Sequence, residues 1–171
     1  MNYVDCFTSA LVEDFKRCIL SYSLIRTPKA CLKSLHYMMD EVLDRKDEDF
    51  GQIYSFISDR LRAIFKDLAV QHCKDEFYAE ANEISARFRI LSDFICKGSE
   101  FEKKGSFVTK HNNEKLQESF SNLEHYDNDN PSVNRKNRKE TIMLNIAFEI
   151  GNGNPSVSDS HEFLQFQCLH V

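Results

Sequence analysis

The sequence predicts an all-α fold of stacked helical hairpins, close to an α-solenoid. Three observations carry this expectation. Only 5 Gly and 3 Pro interrupt 171 residues, so tight turns are few. Apolar residues recur at three- and four-residue steps through segments of about 15 to 22 residues, the spacing of an amphipathic helix face. The stretches that separate them are short and polar, as connections between antiparallel neighbouring helices are. No strict internal repeat is present, and the chain has no Trp, so the TPR pattern is absent.

The elements follow in order. Val4, Phe7, Leu11, Phe15, Ile19 and Tyr22 predict a helix over residues 3–23. Thr27 is a suitable N-cap and Pro28 suits the first turn of a second helix, whose stripe is Leu32, Leu35, Met39, Val42 and Leu43, ending near Arg45. The polar break DRKDEDFG precedes a third helix with Ile53, Phe56, Ile57, Leu61, Ile64, Phe65 and Leu68 on one face. Residues 76–96 form a fourth, with Phe77, Ala81, Ile84, Phe88, Leu91 and Ile95 inward. KGSEFEKKGSFVTKHNN lacks a period and reads as a loop, after which Asn112 or Asn113 caps a helix carrying Leu116, Phe120 and Leu123. DNDNPSVN is a second loop. ETIMLNIAFEI then reads as a buried helix stopped by Gly151, with a short buried strand as the alternative. Residues 1–151 are thus expected to be one helical domain, and 152–171 a loop with a short apolar tail, FLQFQCLHV, that needs a partner surface.

Composition narrows the function. A net charge of −5 argues against a free-standing nucleic-acid binder, whose affinity comes from clustered Lys and Arg. The 6 cysteines contain no CxxC and read as reduced intracellular thiols. No apolar run is long enough to cross a bilayer, and Asp5, Glu13 and Asp14 occupy the place of a signal peptide's basic and apolar regions. The expected location is cytoplasm or nucleus.

No catalytic constellation emerges. His72 and Cys73 are adjacent, so on a helix they would point about a hundred degrees apart and not face each other. His36 has no second ligand at i+4 and reads as a core or boundary histidine. Gly151-Asn-Gly-Asn lacks the third Gly and the preceding strand of a dinucleotide site. Asp44 to Asp49 lacks the ligand spacing of a calcium loop. The expectation is therefore no enzyme, no cofactor, no metal and no small-molecule substrate.

Two charged features stand out. The run Arg135, Lys136, Arg138 and Lys139 is dense enough to contact phosphate or to act as a nuclear-import signal, with Arg62 and Lys66 as further candidate nucleic-acid contacts. Its plainer reading is a solvated helix start, although positive charge at that end opposes the helix dipole. In ISDRLRAIFKDLAVQ, Asp59, Arg62 and Lys66 lie away from the apolar stripe, while Arg60 falls at its edge. Arg60 is read as a structural arginine that ties adjacent helices.

The same stretch carries a family resemblance. SDRLRAIFKDLAVQ resembles the Asp-Arg-x-Arg-(Ala/Ser)-Ile-x-x-Asp-x-x-x-Gln helix of the Sac-three/GANP family, matched by Asp59, Arg60, Arg62, Asp67 and Gln71. LIRTPKACLKSLHYMMDEVL is similar to that family's Arg-Pro-x-x-x-Leu-x-x-(Thr/Ser)-(Leu/Met)-x-Tyr helix through Arg26, Pro28, Leu32, Ser34, Leu35 and Tyr37, with Thr27 splitting the Arg-Pro pair. ANEISARFRILSDFI and NNEKLQESFSNLEHYD resemble its next two helices.

The resemblance implies a non-enzymatic helical scaffold, akin to PCI-type modules, shortened at both ends and without the family's winged-helix end. It further implies a transcription-coupled mRNA-export complex at the nuclear pore. The implied partners are a PCI-type subunit and pore-associated proteins, with no membrane and with RNA held only jointly with a partner. The implied location is the nucleus, with cytoplasm or centrosome as the alternative. A small RNA-binding helical module, or a centrosome- and spindle-associated relative, is the alternative function.

Overall fold

The computed structural model describes residues 25–152. The helix expected over residues 3–23, and the tail beyond Asn152, lie outside that range. Among the described residues the fold is all-α, with no strand.

Helix α1 (Pro28–Tyr37) starts as its sequence predicts: the Thr27 hydroxyl accepts from Ala30 N–H, and Pro28 occupies the first turn, where its missing donor costs nothing. The helix then widens into a π-helical turn, Met38–Val42, closed by Leu43 N–H donating to the Met38 carbonyl at 2.9 Å. Met38, three residues after Leu35, is buried as this turn begins, and Met39, Val42 and Leu43 of the expected stripe pack at the margin of the core.

Asp49 caps α2 (Phe50–Val70), accepting from Gly51 N–H at 2.6 Å. Ile53, Ile57, Leu61, Ile64 and Leu68 form the expected buried stripe. Phe56 does not join it and stays 52% exposed, while Tyr54, one step round, is buried. Helix α2 ends through His72, held in the left-handed region at φ 52°, which lets Cys73 N–H reach the Leu68 carbonyl.

Helix α3 (Glu76–Cys96) is capped by Asp75, which accepts from Phe77 and Tyr78 N–H. It is the middle element of the fold. Ala81, Ile84 and Phe88 face α1 and α2, as their spacing predicts. The opposite face is buried too, which a single apolar stripe does not predict: Ala79, Asn82, Ser85 and Ala86 pack on α5. Leu91, expected inside, is 38% exposed.

The predicted loop after Cys96 holds a short helix, α4 (Glu100–Lys103), capped by Ser99 and flanked by Gly98 and Gly105 at positive φ. Beyond it, Phe107 is buried and sets its ring edge-on to Tyr54 at 4.9 Å, and Tyr54 in turn stacks on Phe88 at 5.9 Å. Phe101, packed against the core and tilted on Phe50 at 6.5 Å, and Phe107 thus anchor a segment whose polarity hides them.

Helix α5 (Thr109–Asp129) begins before Asn112, which is not the cap its sequence suggests. Asn112 is buried inside the helix and donates from Nδ2 to the Arg89 carbonyl at 2.9 Å. Leu116, Phe120 and Leu123 face inward as expected. The α3–α5 seam, the most extensive helix pairing, carries matched polar groups: Asn122 donates to Asn82 at 3.1 Å and Ser119 to Ser85 at 3.2 Å. These small and amide side chains allow close helix approach while bonding to one another across the seam.

Helix α6 (Arg138–Gly151) packs on α5, with Phe148 tilted against Phe120. It is a helix and not a strand, yet not the buried one its apolar density predicts. Only Thr141 and Ile142 are buried, while Met143 and Ile150 are 49% and 64% exposed. It lies at the end of the described stack and is covered on one side only.

Candidate interaction surface

Helix α2 brings the charged ladder of residues 59–71 to two different places. Its C-terminal end joins the start of α1: Arg26 Nε donates to Asp67 Oδ2 at 2.7 Å, and Gln71 Nε2 donates to the carbonyls of Arg26 and Asp67, each at 2.8 Å. The Asp67 carboxylate is only 19% exposed, so this bond is shielded from water on one side. Arg26, Asp67 and Gln71 form the tie between helices, and Pro28 directs the chain away from it into α1.

Arg60 is not that tie. Its guanidinium pairs with Asp59 on its own helix and lies 5.7 Å from the Phe56 ring, with the side chain 50% exposed. The helical phase that puts Arg60 at the stripe's edge turns it toward a hollow beside α1, and its carboxylate partner is on its own helix. Arg62 reaches Asp59 only at 3.9 Å and is 74% exposed, and Lys66 faces solvent. Tyr37 is 61% exposed on α1, across from Phe56. Between them opens a hollow of about 490 Å³ lined by Arg26, Lys33, Tyr37, Met38, Phe56 and Arg60.

The basic run divides in the same way. The Arg135 side chain is buried, 9% exposed, bonded to Glu83 and bidentate to Asp127 at 2.9 and 3.1 Å. It also donates to Thr141. Arg138 lies 3.2 Å from the same Asp127. Asn137 Nδ2 satisfies the other Glu83 oxygen at 2.6 Å. Two of the four expected phosphate contacts therefore point inward, leaving Lys136 and Lys139 on the surface. No local pattern signals this, because Glu83 lies 52 residues away.

Burial governs the three cysteines among the described residues. Cys73 donates to Asp75 at 3.0 Å, and burial, reinforced by Asp75, raises its pKa to about 11. Burial likewise raises Cys31 and takes Cys96 to about 11. All three are thiols at neutral pH, the unreactive form. His36 sits half-exposed against Glu80 at 2.9 Å. Among the described residues no group of three or more His, Cys, Asp or Glu is placed to hold a metal, and no helix is long and apolar enough to cross a membrane.

What this arrangement offers is an aromatic and basic surface on a rigid helical frame. Arg89 and Glu83 on α3, which no sequence motif singles out, are its most buried charged groups. No solved structure matches the chain. The SAC3/GANP family matches residues 13–167, nearly the whole sequence and all of the described fold, and the chain belongs to that family.

Proposed function

We propose that the chain is a non-enzymatic helical scaffold of nuclear mRNA export, acting through protein surfaces in a transcription-coupled complex at the nuclear pore. The observation that carries this reading is the family match over residues 13–167. The family is one of scaffolds, and membership supports a role in mRNA-export scaffolding at that coarse level. The α1–α2 hollow suits such a role, because exposed Tyr37 and Phe56 flanked by Arg26, Lys33 and Arg60 have the aromatic and arginine character of interface anchors. Its partner is read as a PCI-type or pore-associated subunit of the export complex, with RNA held only jointly with that partner.

The test is affinity capture of the tagged chain from nuclear and cytoplasmic extracts, with and without nuclease. Export subunits recovered from the nuclear extract despite nuclease, and lost when Tyr37 and Phe56 are both replaced by Ala, support the reading. Partners that all vanish with the RNA would replace it with a small RNA-binding helical module. Recovery of centrosomal proteins alone would move the role to the spindle.

A further inference from the structure

Between α2, α3 and α5 lies a cavity of about 300 Å³ whose inner wall is Arg89. Arg89 is 5% exposed, and its Nε and Nη1 have no hydrogen-bond partner among the described residues. Asn112, beside it, bonds its backbone carbonyl and not its guanidinium. Burial pulls the Arg89 pKa down, with Tyr54 and Glu118 acting in the opposite sense. A buried guanidinium with two idle donors is costly, so its persistence points to a group that fills them.

The rest of the cavity agrees with an anion. Ser58 Oγ, on the same wall, is also buried without a hydrogen-bond partner, and the Tyr54 hydroxyl adjoins both groups. Arg62 and Lys115 stand at the mouth, 74% and 43% exposed. One carboxylate lines the cavity, Glu118, and it is occupied by Lys115 at 2.6 Å. His111, also at the rim, leans toward Glu114 at 3.9 Å. Arg62, Arg89 and Lys115 against Glu118 leave two net positive charges among the Arg, Lys and Glu of the lining, the complement of a dianion. A planar fork with two free N–H groups suits a tetrahedral oxyanion, and a nearby hydroxyl can serve a third oxygen. At about 30 Å³ per water, the space exceeds that of the anion alone.

We infer that this cavity is a phosphate-binding site, taking a phosphate dianion either free or as the monoester of a small organic molecule, with Arg89 as its buried fork and Arg62 and Lys115 at its mouth. Phosphate would fill Arg89 Nε and Nη1, which have no hydrogen-bond partner among the described residues, with the Tyr54 hydroxyl beside it.

The test is isothermal calorimetry and thermal melting of the full chain with inorganic phosphate, glycerol 3-phosphate and glucose 6-phosphate, against glucose and sodium chloride at matched ionic strength. Saturable binding of at least one phosphate, absent from both controls, is expected. The compound bound most tightly identifies the source as free phosphate or monoester. Arg89→Met should weaken it at least about tenfold, the equivalent of one lost charge-assisted bond. That variant removes an unpaired buried charge, so it should fold. Arg62→Ala, on the exposed rim, should weaken binding several-fold with an unchanged melting temperature in the absence of phosphate, which keeps the test independent of folding. No binding by any phosphate, or binding that both variants leave intact, would overturn the assignment.

Discussion

Replacing Arg135 by Ala should be the most damaging change to any residue of the basic run. Its guanidinium holds Glu83, whose side chain is 4% exposed, and Asp127, 8% exposed. Removing one member of a buried charge cluster costs about 3 to 5 kcal/mol, because the remaining charges stay buried without compensation. Here Asn137 still donates to Glu83 and Arg138 still faces Asp127, which places the expected loss near the lower limit, about 3 kcal/mol. At about 2 to 4 °C per kcal/mol for a chain of this size, the melting temperature should fall by about 6 to 12 °C. Urea unfolding followed by far-UV circular dichroism measures the loss directly, provided the slope with denaturant is unchanged. Lys136→Ala and Lys139→Ala, made in parallel, should each stay within about 0.5 kcal/mol of the parent. Adding Glu83→Gln to Arg135→Ala should recover part of the loss by neutralising one stranded carboxylate. An Arg135→Ala variant as silent as the two lysine variants would refute a stabilising role for this buried cluster.

Along α2, Gln71→Ala should cost about 1 to 2 kcal/mol through the loss of its two carbonyl bonds, while Arg60→Ala should cost under about 0.5 kcal/mol; chemical denaturation showing the reverse order would return the tie to Arg60. Gly51→Ala should destabilise by about 1 kcal/mol, since a Cβ there meets the Phe101 ring at 2.9 Å and Ser106 Oγ at 3.0 Å, and that overpacking outweighs the gain of about 1 kcal/mol in helix propensity. Melts of Gly51→Ala, Phe101→Ala and the pair test this, because the pair removes the closest contact and should lose less than the sum of the two single changes. Glu140 has its carboxyl held below the ordinary 4.5, chiefly by the hydrogen bonds from Arg87 on α3. The folded state binds that proton less tightly than the unfolded chain, so the stabilisation is present above about pH 4.5 and is lost as pH falls through the lower folded value. Glu140→Gln should flatten this acid limb in urea titrations by under about 1 kcal/mol, both partners being substantially exposed.

The helices themselves are legible because their information is local. Thr27 and Pro28 at the start of α1, the stripe Ile53, Ile57, Leu61, Ile64 and Leu68, and the full span of α3 all follow from capping chemistry and a 3.6-residue period. The motif that resembles the Sac-three/GANP helix is equally readable, since it is one continuous segment of α2. Which motif residue does which work is not. Arg26 and Gln71 are 45 positions apart, and only the approach of the α1 start to the α2 end shows that they share a bond.

The all-α class, the core stripes and the family were written in the chain, because each rests on residue types at short, regular separations. The fates of the charges were set by packing. Arg60 and Arg135 look alike as cations beside apolar runs, yet one rests on its own helix and the other is enclosed by Glu83 and Asp127. Packing also makes Phe107 part of the core and Arg89 the wall of a cavity. The physical reason is that the value of a charge depends on its dielectric surroundings and on partners from distant segments, and neither exists until the helices have packed.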